Sequence, residues 1–188
     1  MTSSSETLFN AVTDEKAENY TKDLFDAAKK RIGMLPNIYR YMANSPHLLD
    51  AYMYSDVLFR QHAPFSPAEK ETIYLSISVE NECQYCIAVH STVAEQNAKV
   101  PLSTIEAIRK NIIMEDKLSV LSQFTKLLVK ARGHVEQKDI NDFLDAGFSK
   151  EQLLYLILAI GAKTISNYAN RLFNTPLDDA FKDHSESN

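Results

Sequence analysis

Residues 65–98 read FSPAEKETIYLSISVENECQYCIAVHSTVAEQNA, and this stretch decides the fold. Ser66, Pro67 and Glu69 form a capping box with proline at the first helical position, so a helix starts there and runs through Ile73, Tyr74, Ile77 and Ser78. Glu71 falls in its first turns. Asn81-Glu82 marks a break, and Cys83 to Ala98 reads as a second helix with CQYCIAVH at its N-terminal end. If Cys83 to His90 is helical, Cys83, Cys86 and His90 share one face at steps of three and four.

The same helical spacing extends outward in both directions. Apolar positions predict helices over Asp14 to Ile32 with Gly33 as the stop, Ile38 to Ala43, Pro46 to His62, Glu115 to Arg132 before Gly133, and Gln137 to Ala146 before Gly147. Ser103 with Glu106 predicts another capping box, and Ser149 opens a helix to about Phe173 whose apolar run, Leu153 to Ile160, reads as buried. No stretch alternates with period two, and only 4 Gly and 6 Pro leave few tight turns, so the fold class is all-α. A faint echo joins the Phe-Ser start at residue 65 to FSKEQLLYLILAIGAK at 148, where no cysteine follows.

A length of 188 residues suits a single domain. The expected division is a poorly ordered segment 1–13, a helical domain 14–182 and a loose tail 183–188. The net charge of -5, with scattered Lys and Arg, offers no footprint for nucleic acid. The N-terminus lacks the basic start and apolar run of a secretory signal, and no apolar stretch is long enough for a membrane span, so a cytoplasmic location is expected.

Both cysteines of the chain lie in the one motif. In a reducing compartment this favours catalytic or metal-binding use over a structural bridge, and a bridge across so short a loop would remove little unfolded-state entropy. A zinc site would need a second ligand pair from a separate segment, and His47, His62, His134 and His184 show no ligand spacing. A packed helix with buried, inert cysteines is the bland alternative. A helix N-terminus and a nearby imidazole favour a reactive thiolate beside a thiol that can resolve it, and helix-terminus electrostatics alone would ionise Cys83 first.

The spacing E-x11-C-x2-C-x3-H, filled by Glu71, Cys83, Cys86 and His90, resembles the signature of the alkylhydroperoxidase D-like group within the carboxymuconolactone decarboxylase superfamily. GMLPNIYRYMANSPHLLDAY and SNYANRLFNTPLDDAF resemble the flanking segments of its peroxidase-related branch, so the likeness spans roughly residues 30 to 182. The resemblance implies an all-helical bundle that forms homo-oligomers, trimers or pairs of trimers, and reduces hydroperoxides. It implies Cys86 as the peroxidatic thiol, Cys83 as the resolving thiol, and Glu71 with His90 as the proton relay. It implies no bound cofactor or metal, and an external dithiol of the lipoamide kind, or a partner protein, as reductant; no glycine fingerprint for a dinucleotide is present. Family members carry a histidine immediately before the second cysteine, where this chain has Tyr85, a poor base that predicts a weaker relay.

The alternatives are a disulfide reductase or redox relay without peroxide turnover, a redox-sensing scaffold, and, most distantly, lactone decarboxylation. Tyr20, Tyr39, Tyr41, Tyr52 and Tyr54 read as packing or interface residues, and Asn170 with Arg171 as ties between helices or subunits.

Overall fold

Ser66 begins the central helix as expected. Its Oγ accepts from the Glu69 N–H at 3.2 Å, and Glu69 Oε2 accepts from the Ser66 N–H at 2.8 Å. In the computed structural model, which describes residues 9–114 and 116–185, this helix is α4 (Pro67–Glu80). Every residue from Glu71 to Ser78 is buried. A helix buried all round belongs inside a bundle, and α4 is enclosed by α5 (Gln84–Gln96), α6 (Leu102–Lys110), α7 (Lys117–Lys130) and α9 (Lys150–Phe173). Its small hydroxyl residues permit that close approach, and Ser76 is satisfied locally: its Oγ donates to Thr72 O at 2.7 Å and lies 2.7 Å from Ser122 Oγ.

The remaining elements are α1 (Asn19–Ile32), α2 (Asn37–Met42), α3 (Pro46–His62), α8 (Gln137–Asp145) and a C-terminal 3-10 helix (Asp179–His184). Among the described residues there is no strand, and no helix is long and apolar enough to cross a membrane. Gly33 ends α1 at φ 85°, a left-handed conformation that favours glycine, with its N–H on Lys29 O. One core gathers Phe25, Ile38, Tyr39, Leu49 and Phe173; a second gathers Phe59, Phe65, Tyr74, Leu121, Phe143 and Leu156; a third joins Leu75, Ile87 and Ile105. The sequence echo has a spatial counterpart, because Phe65 and Phe148 precede the two Ser caps and their rings pack 6.2 Å apart.

Several boundaries differ from expectation. Cys83 is not inside a helix but is the N-cap of α5, because the break at Asn81-Glu82 turns through a left-handed Glu82 at φ 52°. Ser103 caps nothing: Pro101, with φ fixed at -58°, is the N-cap of α6, and Glu106 instead pairs with Lys110 at 2.8 Å. The helix expected from Asp14 starts at Asn19, and Glu115, expected to open the next long helix, lies outside the described residues, with Asp116 capping α7 through Ser119.

The run Leu153 to Ile160 is helical but buried on one face only, since Leu154 and Ile157 remain 64% and 57% exposed. Residues 1–8 and 186–188 lie outside the described residues, whereas part of each expected loose end is ordered. Phe9 packs edge-on against Phe173, and Asp183 and His184 belong to the 3-10 helix, where His184 Nε2 meets Glu95 Oε2 at 2.7 Å.

Candidate active site

The break after α4 reverses the chain so that the start of α5 returns along α4. Cys83 N–H bonds Ser78 O at 2.9 Å and fixes this reversal. Cys86 and His90, one turn apart on α5, then face Glu71 of α4, and α9 closes the other side. Cys83, Cys86, His90 and Glu71 are all buried, at 1%, 3%, 4% and 3% exposure.

A continuous chain of charges runs through this interior. Glu71 Oε2 lies 2.9 Å from His90 Nδ1, and its Oε1 accepts from Arg60 Nη1 of α3 at 2.7 Å. Asp56 binds Arg60 Nε at 3.1 Å and Arg31 Nη1 at 2.9 Å, and accepts from the Tyr74 hydroxyl. On the far side of the imidazole, Lys163 Nζ lies 2.7 Å from His90 Nε2. Burial and the Lys163 ammonium lower the His90 pKa against the pull of Glu71, so the ring is neutral at pH 7. A carboxylate faces Nδ1 and can only accept, which places the ring proton on Nδ1 and leaves Nε2 to accept from Lys163.

Burial opposes ionisation of Glu71, yet Arg60 and the His90 hydrogen bond hold its carboxyl down at about 2. Burial likewise opposes ionisation of Cys86, but the Cys83 thiol, Lys163 and His90 outweigh it and hold the pKa well below the usual thiol range. The Asn170 Nδ2 donates to Cys86 Sγ at 3.3 Å. Cys83 moves the other way, raised by its hydrogen bond to Cys86 and by burial.

Above Cys86 lies a cavity of about 330 Å³ lined chiefly by Ile38, Tyr39, Tyr52, Tyr85, Val89 and Phe181, with Cys86, His90, Arg60 and Lys163 at its polar end. Cys83 does not line it. Tyr85 is not a substitute for a relay histidine: its hydroxyl donates to Asp178 instead of His90, and the other Asp178 oxygen accepts from the Asn37 N–H at 3.0 Å. Among the described residues no three His, Cys, Asp or Glu side chains are grouped so as to hold a metal ion.

The four residues expected from the sequence therefore lie together, while Lys163, Arg60 and Asp56 join them without a sequence expectation. Lys163 did leave a signal, since it stands alone as a charge on the face Leu156, Ala159, Ser166, Asn170 and Phe173, which is otherwise apolar or small. Tyr39 and Tyr52, expected as packing or interface residues, and Asn170, expected to tie helices or subunits, also line the cavity. Arg171 does tie elements together, bonding Asn81 O at 3.2 Å.

Residues 45–121 match the model of the carboxymuconolactone decarboxylase family. No curated protein matches the chain in sequence. Among solved structures, the alkylhydroperoxidase core of an uncharacterised peroxidase-related protein from Ralstonia eutropha JMP134 superimposes with a TM-score of 0.81 at 19% identity, covering 92% of this chain and 93% of that one. A peroxidase-related protein from Silicibacter sp. TM1040 gives 0.75 at 18% identity, with 96% and 97% covered. The debrominase Bmp8, as a cysteine-to-alanine variant in complex with 2,3,4-tribromopyrrole, gives 0.75 at 15% identity, with 96% of each chain covered. The matched segment contains Glu71, Cys83, Cys86 and His90, and the chain as a whole shares the alkylhydroperoxidase D-like fold of these structures.

Proposed function

We propose that the protein is a thiol peroxidase that reduces organic hydroperoxides through Cys86 and Cys83. The observation that carries this reading is the asymmetry of the pair: the sulfur whose surroundings favour the thiolate lines a cavity large enough for a compact organic molecule, and the one whose surroundings favour the thiol is buried beside it. The Cys86 thiolate attacks the outer peroxide oxygen, giving a sulfenic acid and an alkoxide that takes a proton. The Cys83 thiol then condenses with the sulfenic acid, releasing water and leaving a disulfide. Glu71 and His90 support proton handling beside the sulfur, and an external dithiol returns the disulfide to two thiols.

The cavity is lined chiefly by apolar and aromatic side chains, so a neutral, apolar hydroperoxide suits it. A single cavity-lining sulfur, Cys86, with Cys83 buried behind it favours a small substrate over docking of a partner protein's disulfide, which weakens the redox-relay reading. We infer self-association through α9, because Leu154, Ile157, Ile165, Tyr168 and Leu172 form one apolar stripe along its outer face, about 27 Å long, and lone chains rarely expose so continuous a patch. Leu154→Glu with Leu172→Glu lowers the sedimenting mass if a second copy covers that face.

A second reading draws on the aromatic lining and on the fold shared with the debrominase. A thiolate there could take bromine from a haloaromatic ring, which gains a proton, and Cys83 would then expel bromide to form the same disulfide. The test is multiple-turnover consumption of tert-butyl hydroperoxide with dihydrolipoamide, with bromide release from bromopyrroles run alongside. Support requires turnover by the natural chain, none by Cys86→Ser, and a trappable sulfenic acid in Cys83→Ser. Fast disulfide exchange without peroxide loss transfers the function to redox relay, and bromide release alone transfers it to dehalogenation.

A further inference from the structure

Lys163 is fully buried, at 1% exposure, on the middle of α9. Burying an ammonium is costly unless it is paired, and here its partners define a job. One N–H meets His90 Nε2 at 2.7 Å, and the Nζ sits 5.3 Å from the centroid of the Tyr74 ring. No carboxylate lies within ion-pair distance of it among the described residues; the nearby titratable and charged groups are the Cys86 sulfur and the neutral His90 on α5, Glu71 on α4, and Asp56 and Arg60 on α3. Lys163 and Cys86 both line the cavity, so the ammonium group borders the place where substrate must sit.

The geometry points to Lys163 as the general acid of the site, the group that protonates the alkoxide leaving from the peroxide. The inference rests on the peroxidase reading. In the first step the Cys86 thiolate takes the outer oxygen, the O–O bond breaks, and Lys163 passes a proton to the departing alkoxide, which gives a sulfenic acid, an alcohol and a neutral amine. In the second the Cys83 thiol displaces water from the sulfenic acid. When an external dithiol reduces the disulfide, both cysteines return as thiols, and transfer of the Cys86 proton to the Lys163 amine restores the thiolate and ammonium. Glu71 and His90 act as positioning residues: the carboxylate holds the Nδ1–H tautomer, and that tautomer offers Nε2 to anchor Lys163. This arrangement also accounts for Tyr85, because with an ammonium on α9 the site needs no second histidine on α5.

An alkoxide leaving group needs a proton, whereas the carboxylate that leaves from a peracid is stable as an anion, its acid having a pKa of about 4. The experiment compares single-turnover sulfenic acid formation with tert-butyl hydroperoxide and with peracetic acid in Cys83→Ser, alone and combined with Lys163→Met or Lys163→Arg. Loss of the acid slows the alkyl hydroperoxide by about 100-fold or more, and slows the peracid by less than about tenfold once rates are divided by the thiolate fraction from iodoacetamide pH profiles. Lys163→Arg keeps the charge but cannot give up its proton readily, so the same selectivity is expected there. An equal loss for both oxidants, or none for either, overturns the role of Lys163 and leaves the peroxidase standing. Failure of the parent to oxidise with either one removes the peroxidase reading and this inference together. Should both variants misfold, a series of hydroperoxides with graded leaving groups decides on the Cys83→Ser parent alone: a shallow dependence on leaving-group acidity supports the acid, and a steep one rejects it.

Discussion

Cys83 and Cys86 are three residues apart, but only Cys86 reaches the cavity. Cys83 is the N-cap of α5, at φ -92° and ψ 93°, and its side chain is buried beside the first turn of the helix that Cys86 occupies. A small alkylating reagent should therefore label the reduced protein once, at Cys86, with an inflection below the ordinary thiol value of about 8.5. In Cys86→Ser, Cys83 should stay unlabelled under native conditions, because it is buried and does not line the cavity. Peptide mass spectrometry after timed quenching reads both outcomes, and labelling of Cys83 first would reverse the assignment of the two sulfurs.

Glu71 is the acceptor on which Arg60 and His90 both depend. Its replacement by Gln takes the carboxylate from the buried His90 and from a half-buried guanidinium that keeps Asp56, and should destabilise the fold. Arg60→Met should also destabilise, since it leaves the buried Glu71 carboxylate with His90 as its remaining partner. The two residues touch, so their effects should not add: the double variant should lose clearly less than the sum of the single losses. Denaturant titration of the four proteins measures the coupling, and strict additivity would mean that the ion pair contributes nothing to the folded state.

The readable part of this protein was the part written in local signals. Ser66 and Ser149 cap the two long inner helices, Gly33 stops α1, and the E-x11-C-x2-C-x3-H spacing gathers the four expected side chains. What could not be read depends on contacts between distant segments. Asp56 and Arg60 sit on a helix whose sequence resembles many amphipathic helices, and only its packing against α9 and the reach of its side chains to α4 bring them into the site. Ser103 failed as a cap because Pro101 already fixed the entry of the chain, a competition between neighbours that a motif alone does not rank. Lys163 was visible as a misplaced charge, but its partner could not be named without knowing that α5 and α9 are adjacent.

Acid should unfold the protein in two stages of proton uptake. The folded-state pKa of His90 is lowered by burial and Lys163 from 6.5, so below that value the unfolded chain binds a proton that the folded one refuses. The folded pKa of Glu71 is lowered from 4.5 to about 2, so its contribution is complete above pH 4.5 and is lost as pH falls toward 2. Both groups act in the same direction, with stability falling below about pH 6.5 and more steeply below about 4.5, the Glu71 share being roughly 3 kcal/mol. Urea midpoints at a series of pH values give the slope. Glu71→Gln should flatten the part below pH 4.5 and leave the part above it, and an unchanged profile in that variant would show that the acid sensitivity lies elsewhere.

Tyr85 holds the C-terminal strap rather than the proton chain. Its hydroxyl donates to Asp178, Asp178 also accepts from the Asn37 N–H, and Asn37 Nδ2 donates to Pro176 O at 3.0 Å. These bonds seat the 3-10 helix against α5 and bring Phe181 over the cavity. Tyr85→Phe removes one bond to a charged acceptor and should cost about 1.5–3 kcal/mol at most, felt as local opening of the strap before global unfolding. Amide exchange at residues 178–184 should rise in this variant, while the alkylation profile of Cys86 should keep its inflection, because Lys163, His90 and Cys83 are untouched. Phe181→Ala should widen the mouth without disturbing those bonds and favour bulkier hydroperoxides through KM rather than kcat. A displaced Cys86 inflection in Tyr85→Phe would mean that the phenol takes part in the electrostatics of the sulfur after all, and the strap role would then be only half of its function.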